Sequence, residues 1–208
     1  MKLVWCPETA TKAFIDAVNT AEGREAEAEL VAAMAGGWKV QLIVEAWERE
    51  DGGATSHGVS LAVRHTGGRH VCVVPDERAA EEYGGCAAEV VVGEAEEAMR
   101  ELEGVDMVVV DWRRRDAERI VREARPGAMG MVVVCRSVDE GSRTPSAAAA
   151  ADGRRRLVRS VYLPVGGGME ILHVGVGKGS SIGDGSGAKR WVRHVDRRTG
   201  EEHVFRRY

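Results

Sequence analysis

Val105-Asp106-Met107-Val108-Val109-Val110-Asp111 is the stretch that decides the fold. Its centre is a continuous apolar, β-branched run, which suits a strand buried on both faces, and it closes on a carboxylate. The same kind of run recurs on either side. Val40 to Trp47, Val71 to Val74, Glu89 to Val92 and Met129 to Cys135 read as further short strands alongside Asp106 to Val110. Between them lie amphipathic or glycine-terminated segments, Ser56 to His65, Asp76 to Tyr83, Glu94 to Leu102 and Arg114 to Ala124, which read as helices. Gly67-Gly68 and Gly84-Gly85 stop two of them, and Pro126-Gly127 follows the last. Strands alternating with helices imply right-handed crossovers, hence an α/β, Rossmann-like, doubly wound and mostly parallel sheet. In such a sheet ligands bind beyond the carboxyl ends of the strands.

The flanks break this rhythm. Pro7 and Glu8 suit a first helical turn, and Phe14, Ile15 and Val18 recur at helical spacing, so a helix is expected to Asn19 with those three as its apolar face. A second helix, Ala26 to Ala35, stops at Gly36-Gly37. After Ser137 the chain turns Ser/Pro/Ala-rich. Alanine favours helix at Ala147 to Ala151, but the flanks favour an exposed loop over Asp139 to Asp152. Leu157 to Leu163 and Met169 to Val176 form a hairpin through Pro164 to Gly168, and Trp191 to Val195 with Glu202 to Arg206 form another about Thr199-Gly200. Gly175 to Gly187 reads as a Gly/Ser-rich flexible loop.

Composition narrows the class. The 208 residues are 44% hydrophobic and 30% charged, enough for one buried core. The net charge of -4 argues against general nucleic-acid binding. A locally basic last third (Arg154, Arg155, Arg156, Arg159, Arg190, Arg193, Arg197 and Arg198) reads first as a solvated face, and alternatively as a patch for an anionic partner. The start, with Pro7, Glu8 and Asp16, lacks an apolar leader segment, and no apolar run could span a bilayer. Cys6, Cys72, Cys86 and Cys135 show no CxxC spacing and read as reduced thiols, giving a cytoplasmic address with the nucleus as an alternative.

Carboxylates mark three strand ends: Glu45 within the first, Asp76 just after the second, Asp111 just after the fourth. Acids there bind ribose hydroxyls or ligand amines in nucleotide-binding folds, or else cap the following helix. Val105 to Asp111 resembles the fourth-strand motif of class I S-adenosylmethionine-dependent methyltransferases. Gly93-Glu94-Ala95 resembles that fold's adenine-side turn, and Tyr162-Leu163-Pro164-Val165-Gly166-Gly167-Gly168-Met169 resembles the glycine hairpin of small cation-dependent O-methyltransferases. The whole chain is similar to a plant family, the domain of unknown function 1442, through Trp5-Cys6-Pro7-Glu8-Thr9-Ala10, Arg64-His65-Thr66-Gly67-Gly68-Arg69-His70-Val71, Val74-Pro75-Asp76-Glu77-Arg78, His194-Val195-Asp196 and Gly200-Glu201-Glu202-His203-Val204-Phe205-Arg206.

The resemblance implies a class I methyltransferase-like sheet with a C-terminal antiparallel hairpin, in one domain over 1–208. Its parts are N-terminal helices (1–37), a parallel core (38–137), a flexible loop (138–156) and C-terminal hairpins (157–208). It implies S-adenosylmethionine as cofactor, held by Glu45, Asp76, Gly93, Glu94, Ala95, Asp111 and Trp112, a small-molecule substrate, and a homodimer as one assembly. Two departures pull the other way. Trp47, Glu48, Arg49, Glu50 and Asp51 precede Gly52-Gly53 where the family's glycines come earlier, and Cys135-Arg136-Ser137 replaces an Asp-Asn metal pair, so no metal is expected. The first of them favours the alternative of a degenerate, non-catalytic binding or interaction protein. His70 and His173 are the histidines to test as a base, and Trp5 and Thr9 are candidates to fold over a cofactor, with simple helix packing as the plainer reading. Gly179-Ser180-Ser181-Ile182-Gly183 and Gly177-Lys178-Gly179-Ser180 lack the strand and helix that a nucleophile elbow or phosphate loop needs.

Overall fold

The computed structural model describes residues 4–20, 26–49, 53–84, 89–139, 144–150, 155–176, 191–195 and 202–206. Two helices, α1 (Pro7–Thr20) and α2 (Ala26–Gly37), lead into β1 (Leu42–Ala46), α3 (Ala54–Thr66), β2 (Arg69–Val74), α4 (Glu77–Tyr83) and β3 (Glu89–Val92). The chain continues through α5 (Ala95–Glu101), β4 (Glu103–Val105), β5 (Met107–Asp111), α6 (Ala117–Glu123), β6 (Arg125–Pro126) and β7 (Met131–Arg136). Beyond these lie α7 (Pro145–Ala150), β8 (Arg155–Leu163), β9 (Met169–Val176), β10 (Trp191–Val195) and β11 (Glu202–Arg206).

The main sheet runs β3-β2-β1-β5-β7-β9-β8. The strands from β3 to β7 pair parallel, and β9 and β8 complete the sheet antiparallel. The expected α/β, mostly parallel doubly wound sheet with a C-terminal antiparallel hairpin is therefore present. Strand order reverses between β1 and β5, so each face is covered by its own helices. Ile43, Met107, Val109, Val132 and Val134 pack against Ala13, Val31, Ala32 and Val59 of α1 to α3. Val44, Val108, Val110 and Val133 pack on the other face against Ala95, Met99, Ile120 and Val121 of α5 and α6. The two-sided burial read from the valine runs follows from this sandwich.

Three local expectations change. Pro145–Ala150 is helical, so the alanine preference outweighs the loop-forming flanks there. Residues 140–143 and 151–154 of that expected loop lie outside the described residues. In α1 the buried face is Ala10, Ala13 and Ala17, whereas Phe14, Ile15 and Val18 are exposed. The reason is closeness. A Cβ on Gly36 of α2 would stand 2.9 Å from the Ala13 methyl and 2.7 Å from the Thr9 carbonyl oxygen, so only small residues fit the contact. Finally, β4 and β6 form a short parallel pair that the sequence reading did not separate from its neighbours.

Candidate functional site

The candidate site lies where the strand order reverses, beyond the carboxyl ends of β1 and β5. Parallel strands deliver their last residues to one edge, and there Glu48, Asp111, Arg113, Arg114 and Arg115 line a cleft of about 270 Å³. A second depression of about 380 Å³ adjoins it, sharing Arg114 and Arg115 and bounded by Trp112, Ala117, Glu118 and Arg119.

Asp111 is the last residue of β5, and its side chain is 1% exposed. Its carboxylate accepts from the Arg113 backbone N–H at 2.8 Å, from Arg113 Nε at 3.0 Å and from Arg113 Nη2 at 2.6 Å. The Ser137 hydroxyl donates at 2.9 Å to Oδ2, the oxygen that Arg113 Nη2 also bonds. Burial works to raise the Asp111 pKa, but the hydrogen bonds and charge of Arg113 and the Ser137 hydroxyl prevail, so its carboxyl sits below the ordinary value. Ser137 holds a left-handed backbone, φ 54°, at the β7 exit. The glycine turn closes over it: a Cβ on Gly167 would meet the Ser137 backbone, and one on Gly168 would stand 2.5 Å from the Val138 carbonyl oxygen. Beside it, Arg136 pairs with Glu27 of α2 at 3.0 Å, and Glu27 also accepts the Gly167 N–H at 3.0 Å.

The loop after β1 crosses the same edge. Arg114, with a side chain only 10% exposed, bonds Asp116 through Nε at 2.9 Å and Nη2 at 2.7 Å, reaches the Trp47 carbonyl at 3.2 Å and pairs with Glu48. Burial works to lower the Arg114 pKa, yet its bonds to Asp116 and the charges of Asp116, Glu48 and Glu94 raise it. Trp47 turns inward and packs edge-on against Tyr83 of α4, with ring centroids 5.6 Å apart. Burial first, then the Glu45 charge, holds the Tyr83 phenol protonated far beyond neutral pH. Arg49 reaches over to Asp76 at 3.2 Å and to Glu82. Residues 50–52 of this loop lie outside the described residues.

The sequence-derived site residues fall into distinct settings. Asp76 is exposed and caps α4 by accepting the Ala79 N–H at 2.7 Å. Gly93 has φ 145°, and nothing lies within 4 Å of where its Cβ would be. Glu94 is exposed at the start of α5 and makes no side-chain cap bond, while Ala95 is buried behind it. Trp112 is half-buried against the core.

Glu45 is buried instead on the sheet face covered by α3. Ser56 of α3 donates to its oxygens at 2.7 and 2.8 Å, and His70 Nε2 lies 2.8 Å from Oε2. Ser60 meets the other ring nitrogen at 3.1 Å. His70 is wholly buried in this network and is not exposed to the cleft. His173 stands opposite Val132 near the start of β7, at the far end of the sheet, edge-on to Trp38 at 5.1 Å. Burial, reinforced by Arg159, lowers its pKa. Trp5 belongs to that far end too. It stacks edge-on with Trp38 at 5.6 Å and covers Gly37, so the plainer packing reading holds for the N-terminal segment.

Sequence reasoning missed Arg113, Arg114, Glu48, Ser137 and the Glu27–Arg136 pair. Arg113, Arg114 and Arg115 follow Asp111 closely in the sequence, but no local pattern marks Arg114 as the partner of Glu48, 66 residues away. Among the described residues no group of three or more His, Cys, Asp or Glu side chains is arranged to hold a metal ion. Among them, too, no helix is long and apolar enough to cross a membrane. The described cysteines, Cys6, Cys72 and Cys135, are free thiols, and Cys86 lies outside the described residues, as does the Gly177–Gly187 segment.

The fold is shared with solved methyltransferases. A methyltransferase from Geobacter sulfurreducens is 17% identical with a TM-score of 0.55, the match covering 79% of this chain and 88% of that one. An S-adenosylhomocysteine-bound methyltransferase from Podospora anserina is 12% identical with a TM-score of 0.55, covering 84% and 90%. At such identities the likeness concerns the fold. No curated protein matches the chain. The family described as protein of unknown function (DUF1442) matches residues 1–207, and the chain belongs to that family.

Proposed function

We propose that the protein binds S-adenosylmethionine at the reversal point of its sheet and transfers the methyl group to a small molecule. The observation that carries this reading is the coincidence of the cleft with the β1/β5 switch point, where open α/β sheets bind their ligands. The residues on that edge fit the cofactor. Gly93 leaves open space beside the exposed carboxylate of Glu94, suiting the adenosine part. Asp76 stands at the β2 end for ribose hydroxyls, and Trp112 gives the adjoining depression an apolar wall, with Ala95 packed in the core behind Glu94. Asp111 presents an ionised carboxylate already paired with a cation. Glu45 acts from the face covered by α3, fixing the first turn of that helix through Ser56. When bound, the cofactor supplies an electrophilic methyl on sulfur; the protein's part is to orient it and keep water away.

A second reading, a non-catalytic binding protein on the same fold, draws on one observation. Arg49 already occupies the ribose-side acid Asp76. Calorimetric titration with S-adenosylmethionine and S-adenosylhomocysteine separates the two. The expected result is micromolar binding, weakened about tenfold or more by Asp111→Asn, the loss of a charge-assisted contact. A silent titration at millimolar ligand with folded protein contradicts the cofactor reading and leaves the binding-protein reading.

A further inference from the structure

Three acids at this edge are covered by arginines of the protein itself. Arg113 clasps Asp111, Arg49 lies on Asp76, and Arg114 holds Glu48. The Asp111 pair is the most telling. The carboxylate is 1% exposed, whereas the Arg113 side chain covering it is 52% exposed. Such a pair is asymmetric. The guanidinium can swing into water with little loss of solvation, but the carboxylate, left without a cation, cannot. Asp111 itself would not move, because the Arg113 backbone N–H and the Ser137 hydroxyl hold it independently of the guanidinium. A fixed, ionised, buried carboxylate with a removable cationic cover is a receptor for a cationic group.

We propose that Arg113 is an internal stand-in for a cationic group of the ligand, and that the ligand's ammonium or sulfonium displaces it from Asp111. This rests on the cofactor reading above and adds what Asp111 receives and what competes for it. Arg113 then sets specificity. It lowers the apparent affinity for any cationic ligand by holding the receptor closed, and leaves neutral ligands unaffected. The cost of the cover is modest, because a half-exposed ion pair is weak. Its removal therefore strengthens cationic binding up to about fivefold.

The test is calorimetric titration of wild type, Arg113→Ala and Arg115→Ala with three probes. S-adenosylmethionine carries an ammonium and a sulfonium, S-adenosylhomocysteine only the ammonium, and 5′-methylthioadenosine neither. Arg115 lines the same cleft without being a partner of the Asp111 carboxylate, so its variant controls for the loss of one positive charge. The expected result is a gain for Arg113→Ala with the cationic probes, larger than for Arg115→Ala, and none with methylthioadenosine. Equal gains for the two cationic probes assign the ammonium to Asp111, and a gain for S-adenosylmethionine alone assigns the sulfonium. Adding Asp111→Asn to Arg113→Ala abolishes the gain. An unchanged or weaker affinity in Arg113→Ala, or the same gain with methylthioadenosine, overturns the proposal while leaving the cofactor reading intact. Silence from all three proteins with every probe overturns both. Because damage to the fold does not raise affinity, a selective gain cannot come from misfolding.

Discussion

At the scale of single residues, the three strand-end acids share a chemistry but not a role. Asp111 is held ionised by Arg113 and Ser137, and this has a pH signature. Its folded pKa lies below its ordinary value of 3.8, so its ionised form stabilises the fold at all pH values above that point. This contribution is lost as the pH falls through the lower, folded value. The urea-unfolding difference between wild type and Asp111→Asn is therefore expected to be full and constant above about pH 5 and to shrink below about pH 4. A difference that grows on acidification would contradict the assignment. The sequence displayed all three acids, but their settings depend on contacts between distant residues. That Glu45 turns inward follows from His70, 25 residues away, lying on the same face of the neighbouring strand. Parallel register, with Ile43 opposite His70, creates that neighbourhood, and no local pattern announces it.

At the scale of elements, strands were more legible than helix faces. Continuous valine runs name a buried strand whatever packs on it, whereas the contact face of a helix depends on its neighbour. In α1 the large apolar residues stay outside because α2 offers glycines and demands small partners. The same close packing recurs between α2 and α3 at Gly58. A Cβ there would stand 2.8 Å from the Ala28 carbonyl oxygen, a backbone atom that cannot simply rotate away. Helix propensity would favour alanine over glycine by about 1 kcal/mol. Overpacking against backbone costs about 1–3 kcal/mol. The clash is expected to win, so Gly58→Ala should lower unfolding stability by about 1 kcal/mol. A stabilised Gly58→Ala protein in urea unfolding would show that the two helices have room to separate.

At the scale of the whole molecule, alternation of strand and helix was enough to imply the doubly wound sheet, because handedness and burial leave few ways to wind it. The reversal between β1 and β5 cannot be read from alternation, since strand order depends on which crossover covers which face. Yet that reversal creates the cleft, and it brings Glu48 and Arg114, 66 residues apart, into contact. The cofactor reading thus makes a claim about place: ligand binds at the carboxyl edge, not at the far end where Trp5, Trp38 and His173 stack. Amide hydrogen exchange with and without S-adenosylhomocysteine tests this most directly. The account predicts slowed exchange in the Val74–Asp76, Gly93–Ala95 and Asp111–Arg115 segments, with none confined to Gly37–Gln41 at the opposite end. Protection absent at saturating ligand, or found only at that opposite end, would contradict it.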